Sequence, residues 1–173
     1  MCVITLSVYI KRVSLHCDVQ IEKIKTAILN SLFHRLNCCH MTPLLCATVA
    51  SVLRSPNSCI TVLDLGHNNL GDGGVKRICD RLWNANCKVE TLNLSHNNVG
   101  EQGVKELCKV LIRPTLKLLT LDLSYNDLGD LGLESLAFAL HERCTLQALR
   151  YVQQYVHIKE RWASNEKVAR SNP

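Results

Sequence analysis

The chain has 173 residues, of which 47% are apolar, 5% aromatic and 20% charged; this fits one domain with an aliphatic core, not two domains or a globule packed around large rings. The formal charge is +5, yet residues 60–149 hold 9 Lys/Arg against 11 Asp/Glu. The basic excess therefore lies at the two ends, which argues against nucleic-acid binding by the regular middle.

Residues 1–10 are apolar but too short to span a bilayer. Lys11 and Arg12 follow that stretch, whereas a secretory signal places its basic residues before it. We therefore read no targeting segment and expect no membrane insertion. Ile21, Ile24 and Ile28 mark a candidate capping helix within a flank of residues 1–30.

From there the chain repeats itself. Leu63-Asp-Leu65-Gly-His-Asn68-Asn-Leu70-Gly71 returns 29 residues later as Leu92-Asn-Leu94-Ser-His-Asn97-Asn-Val99-Gly100. It returns after another 29 as Leu121-Asp-Leu123-Ser-Tyr-Asn126-Asp-Leu128-Gly129. Strict register over nine-residue blocks does not arise from composition, and a fixed period marks a repeat architecture. One step back, His34, Leu36, Cys39 and Met41 take the places of Leu63, Leu65, Asn68 and Leu70. A step of 28 forward reaches Leu149-Arg-Tyr151-Val-Gln-Gln154-Tyr-Val156, where the pattern fades.

The second half of each unit carries apolar residues at i, i+3, i+4 and i+7, the stripe of an amphipathic helix. They are Cys46, Val49, Ala50 and Leu53; Val75, Ile78, Cys79 and Leu82; Val104, Leu107, Cys108 and Leu111; and Leu133, Leu136, Ala137 and Leu140. Each unit is thus a short strand, a turn and a helix. The glycines at 71, 100 and 129 suit the loop into the helix, and those at 74, 103 and 132 suit close approach of stacked helices. Asn68, Asn97 and Asn126 stand where the chain bends away from the strand, and a buried Asn there can bond backbone groups of its own and the next unit. Asn98, one residue later, is expected at the surface. Strands linked through helices in this order lie parallel with the helices on one side. A helix is wider than the roughly 4.8 Å strand spacing, so the stack curves into a horseshoe segment with strands on the concave face and helices on the convex face.

The predicted organisation is an α/β solenoid over residues 31–157, in units of about 31–59, 60–88, 89–117, 118–145 and a degenerate 146–157. A polar tail, 158–173, is expected to be disordered. Leu63, Leu65, Leu92, Leu94, Leu121 and Leu123 form the strand side of the core, with Asn68, Asn97 and Asn126 as structural residues. Asp64, His67, Asn93, Ser95, His96, Asp122, Ser124 and Tyr125 project from the concave face and are the candidate partner-binding residues.

The pattern Leu-x-x-Leu-x-Leu-x-x-Asn-x-Leu-Gly with a Gly-led helix resembles the ribonuclease-inhibitor class of leucine-rich repeats. Its Leu-Asp-Leu-Ser-x-Asn wording, and the variant Cys39-His-Met41-Thr42, are similar to the C-terminal repeats of NOD-like receptors, the cytosolic innate-immune sensors. The resemblance implies a cytoplasmic protein-interaction module, ligand-sensing or regulatory, and no enzyme. Departures are clear. The Gly-x-x-x-x-Gly-Lys-Ser/Thr loop of a nucleotide-binding domain is missing from the sequence, and Gly71-Asp-Gly73-Gly74 has the wrong spacing for one.

Other chemistry is weaker. His67 and His96 are one repeat apart and would stack on neighbouring units, but no carboxylate or thiol completes a ligand set, so we expect no metal. Cys79 and Cys108, in step with the repeat, read as buried thiols acting as small apolar filler, which implies a reducing compartment. Cys38, Cys39, Cys59, Cys87 and Cys144 lack the paired spacing of a zinc ribbon. The sequon Asn93-Leu94-Ser95 falls inside a predicted strand. No cofactor is expected, and the partner is expected to be a protein or a second copy of the chain. Two alternatives stand beside this reading: an enzyme regulator of the ribonuclease-inhibitor or GTPase-activating type, and a non-functional truncated fragment.

Overall fold

The computed structural model describes residues 33–38, 43–53, 55, 58–142 and 145–152. The candidate capping helix in 1–30, the variant positions Cys39, Met41 and Thr42, Cys144 and the tail 158–173 lie outside the described residues, as do Gln154 and Val156.

Strands and helices alternate: β1 (Phe33–Arg35), α1 (Pro43–Leu53), β2 (Val62–Asp64), α2 (Gly71–Leu82), β3 (Thr91–Asn93), α3 (Glu101–Leu111), β4 (Thr120–Asp122), α4 (Gly129–His141) and β5 (Ala148–Arg150). The five strands form one parallel sheet in chain order. Register follows the period: His34 faces Leu63, Leu63 faces Leu92 and Leu92 faces Leu121, each 29 apart, while Leu121 faces Leu149 at a step of 28. The architecture is a leucine-rich-repeat solenoid with strands on one face and helices on the other.

Two residue rows seal each strand against its helix. Leu63, Leu92 and Leu121 are fully buried at the strand centres, and Leu65, Leu94 and Leu123 fill the next position. Val75, Ile78, Cys79 and Leu82 of α2, and Val104, Leu107 and Leu111 of α3, close over them. Each buried Leu contributes about 1.5–3 kcal/mol relative to an exposed one. Where units stack tightest, side chains are excluded: a Cβ at Gly103 would stand 2.6 Å from an Asp72 carboxylate oxygen and 2.9 Å from Val99. Gly129 turns into α4 at φ +63°, a region that costs other residues steric energy.

The helix stripe departs from expectation in two places. In α4 the buried residues are Gly132, Leu136 and Ala139, whereas Ala137 and Leu140 are exposed and Leu133 is only partly covered. Positions 137 and 140 match Cys79 and Leu82, which are buried because the next unit's helix lies over them; among the described residues no helix follows α4. In α3, Cys108 is half-buried rather than buried. It lines a groove between α3 and α4, together with the small residues Ser135 and Ala139 of α4. Cys79 is buried as expected of filler, and burial pushes its thiol pKa up, with the charges of Glu106 and Asp80 acting in the same direction.

Candidate functional site

The sheet face opposite the helices is built from residues that alternate with the core leucines. One row runs Asp64, Asn93, Asp122 and Arg150 across β2 to β5. Its members first serve the backbone. Asp64 Oδ1 accepts from the Gly66 N–H at 3.1 Å, Asn93 Oδ1 from Ser95 N–H at 2.9 Å, and Asp122 Oδ1 from Ser124 N–H at 2.9 Å. These are turns closed by an Asx side chain on the amide two residues ahead. Asn93 Nδ2 also donates to Asp64 Oδ1 at 2.8 Å, so the row is linked across units.

The turn after each strand lifts one side chain to the rim. His67, His96 and Tyr125 sit at φ +57°, +54° and +58°. Identical backbone geometry at each step aims the three rings the same way, and the result is a π-stack. His67 and His96 ring centroids are 4.0 Å apart at 16°, and His96 and Tyr125 are 4.2 Å apart at 15°. Both spacings fall below the usual strand separation, as they must on the inside of a curve. Burial and the neighbouring His67 charge lower the His96 pKa, partly offset by Asp122. Two imidazoles in face contact do not readily share two positive charges.

The stack lines a groove of about 650 Å³, together with Asp122 and with Leu149, Arg150, Tyr151 and Val152 of the last strand and the residues after it. The edge of β5 is joined to the ladder by the Tyr125 N–H, which donates to the Val152 carbonyl at 2.7 Å. The groove thus offers π faces, a carboxylate and an exposed guanidinium.

The sequence-named residues divide clearly. His67 and Tyr125 are exposed, and Asp64, Asn93, His96 and Asp122 are half-buried. Ser95 and Ser124 lie in the same strip but are 8% and 7% exposed, correcting the expectation that they project freely. The residues after them, His96 and Tyr125, take the left-handed backbone that turns a ring to the rim. Arg150, Tyr151 and Val152 belong to the groove although sequence reasoning passed over them, because the repeat wording has faded there. The Asx spacing, two residues ahead of Gly66, Ser95 and Ser124, was a readable signal for the turn closures. Among the described residues no three His, Cys, Asp or Glu side chains converge to hold a metal.

Behind the rim the asparagines form a ladder. Asn97, fully buried, donates from Nδ2 to the Leu65 carbonyl at 2.8 Å and the Ser95 carbonyl at 3.0 Å. Its Oδ1 accepts from the N–H groups of Asn68 and Leu70, both at 3.2 Å. Asn126 serves Asn97 and Val99 in the same way and donates to the Leu94 carbonyl, and Asn68 donates to the Leu36 carbonyl. Each Asn therefore ties its own turn to the preceding unit and holds the rim rings in register.

Comparison with known proteins agrees with this geometry. Residues 57–79, 85–108 and 116–137 match the family model described as Leucine Rich repeat. A 51-residue stretch is 49% identical to the NACHT, LRR and PYD domains-containing protein 1a of Mus musculus, covering 30% of this chain and 4% of that protein. Protein 14 of the same series from Mus musculus is also 49% identical over 51 residues, and protein 3 from Macaca mulatta is 39% identical over 56. The matched part spans only 4–5% of these relatives' length. Among solved structures, Leiomodin-1 Actin-Binding Site 2 superposes with a TM-score of 0.64 at 18% identity, covering 90% of this chain and 97% of that one. That likeness concerns the fold alone.

Proposed function

We propose that this leucine-rich-repeat protein, whose repeats resemble those of the NACHT, LRR and PYD domains-containing proteins, is a protein-interaction module that works through its strand face. The observation that carries the reading is the stack His67–His96–Tyr125, which lines one groove with Asp122 and Arg150. Rigid aromatic surface beside a few charged groups is what protein hot spots are made of, because rings bury much area at little entropic cost. The remaining candidate residues, Asp64 and Asn93, extend the polar strip along the sheet, and Ser95 and Ser124 act mainly by supporting the rim. The site offers binding surface, and we read no catalytic role in it.

The finer reading rests on the resemblance. We take the chain as the ligand-sensing or regulatory repeat region of a NOD-like innate-immune receptor, or a piece of one, working in the cytoplasm. The buried thiols Cys46, Cys79 and Cys87 suit a reducing compartment. No described helix is long and apolar enough to cross a membrane. A regulatory repeat region should bind the nucleotide-binding segment of such a receptor. Biolayer interferometry against the NACHT segment of the murine protein 1a tests this directly. We expect saturable binding that weakens at least about tenfold in Tyr125→Ala and His96→Ala. Binding that ignores both variants would remove the strand face as the site, and no binding at all would remove the regulatory reading.

A further inference from the structure

His96 lies between two rings, His67 at 4.0 Å and Tyr125 at 4.2 Å, with interplanar angles of 16° and 15°. Its backbone has little freedom to relieve a charge on the imidazole. The His67 N–H donates to the Ser95 carbonyl and the His96 N–H to the Ser124 carbonyl. The next residue of each turn, Asn68 or Asn97, donates its N–H to the Asn side chain of the following unit. The turns are thus fixed one unit apart, and the side-chain torsions of His96 are left as the means of parting the rings.

Few groups are placed to balance a charge there. The β2 unit brings Asp64 and His67, the β4 unit Asp122, Tyr125 and Asp127, and the last strand and the residue after it Arg150 and Tyr151; Asn93 and Ser95 of its own strand are uncharged. Asp64 Oδ1 is taken by the Gly66 N–H and by Asn93 Nδ2, and Asp122 Oδ1 by the Ser124 N–H. Burial, followed by His67, opposes a charge on His96, and Asp122 offsets them only in part. Two unit charges about 4 Å apart repel, even in bulk water, by enough to shift an equilibrium about fivefold.

We propose that the stack is a proton-operated part of the strand face: neutral imidazoles keep it closed, and charging both turns the His96 ring out of line and breaks the continuous aromatic surface. The sign follows from linkage. A His96 ring swung into solvent has the ordinary imidazole affinity for a proton and the stacked ring a lower one, so acid favours the open form. The stack is whole above the ordinary value of 6.5 and gives way below it, by at most about tenfold per pH unit. A partner seated on the rings meets only the closed form, and its apparent affinity falls with the closed fraction. This last step rests on the strand face being the binding surface; the opening of the stack does not.

Proton NMR of the full chain from about pH 8 to about pH 5 tests the opening. The Tyr125 ring protons, shifted by the face of His96, should move to unstacked values with the midpoint of the His96 titration. His67→Asn should raise that midpoint, because the opposing charge is gone, and Asn takes the left-handed backbone at position 67 readily. Tyr125 resonances that stay fixed while His96 titrates would overturn the proposal, as would a midpoint that His67→Asn leaves in place. Biolayer interferometry against the NACHT segment tests the consequence. Binding should weaken about three- to tenfold from about pH 7.5 to about pH 5.5, and by less in His67→Asn, where the partner's own titration is the same. Binding that keeps its strength in acid while the stack opens would overturn the regulatory step. Absence of binding at neutral pH would count against the strand face as the partner's site, and the NMR result would still decide the stack.

Discussion

Removing the Asn97 side chain probes the joint on which the stack depends. Asn97→Ala deletes four hydrogen bonds at a site with no solvent access. Their loss is not equal. The Leu65 carbonyl keeps a bond from Asn68 Nδ2 at 2.9 Å, and the Ser95 carbonyl keeps one from the His67 N–H at 2.9 Å. The N–H groups of Asn68 and Leu70 instead lose Asn97 Oδ1, the acceptor that both share. An unsatisfied buried donor costs about 1–3 kcal/mol, so two of them, with some relaxation, set a destabilisation of roughly 2–4 kcal/mol. Thermal melts by circular dichroism measure it. A natural control is the neighbouring surface residue Asn98, but its φ of +52° means that Ala there would add backbone strain. Asn98→Gly avoids the strain and should stay within about 0.5 kcal/mol of the parent. Equal melting temperatures for Asn97→Ala and Asn98→Gly would refute the ladder as a stabilising joint.

Other outcomes follow from single contacts. Cys79 should react with a thiol reagent only on unfolding, Cys59 within the mixing time and Cys108 in between, as their burial orders them; mass spectrometry of labelled peptides reads the order, and fast native labelling of Cys79 would contradict its packing. Gly103→Ala should destabilise by about 1–3 kcal/mol because Asp72 and Val99 must move, whereas Gly73→Ala, open on all sides within α2, should stabilise by about 0.5–1 kcal/mol; chemical denaturation measures both. His96 is harder to protonate folded than unfolded, so its contribution is whole above the ordinary value of 6.5 and is lost as pH falls below it. The melting temperature should therefore fall between neutral pH and pH values below 6.5, and His96→Asn should flatten that fall; an unchanged profile would mean that the imidazole stack does not oppose protonation.

Much of the fold was legible because one period governs it. The 29-residue step from Leu63 to Leu92 to Leu121 is also the strand register, and the 28-residue step to Leu149 survives in the pairing of β4 with β5. The stripe failed where periodicity alone cannot see neighbours. Leu140 repeats Leu82 in sequence, but burial needs a helix on the far side as well as an apolar side chain. Cys108 repeats Cys79, yet small residues on α4 leave it half open. The concave strip was legible as a row but not as a surface. Alternation places Asn93 and Ser95 in the strip, while His96 reaches it only because a left-handed backbone turns its ring outward. The ring stack needed that conformation too: spacing puts His67, His96 and Tyr125 on neighbouring units, and a shared positive φ makes them parallel.

A photo-crosslinking phenylalanine derivative placed singly at Tyr125 and Asp80 compares the strand groove with an ordinary helix surface in one experiment in cells. The account predicts a discrete adduct with another protein from Tyr125 and none from Asp80. Adducts of equal yield from Tyr125 and Asp80, or none from Tyr125, would contradict the strand face as the place where this protein meets its partner.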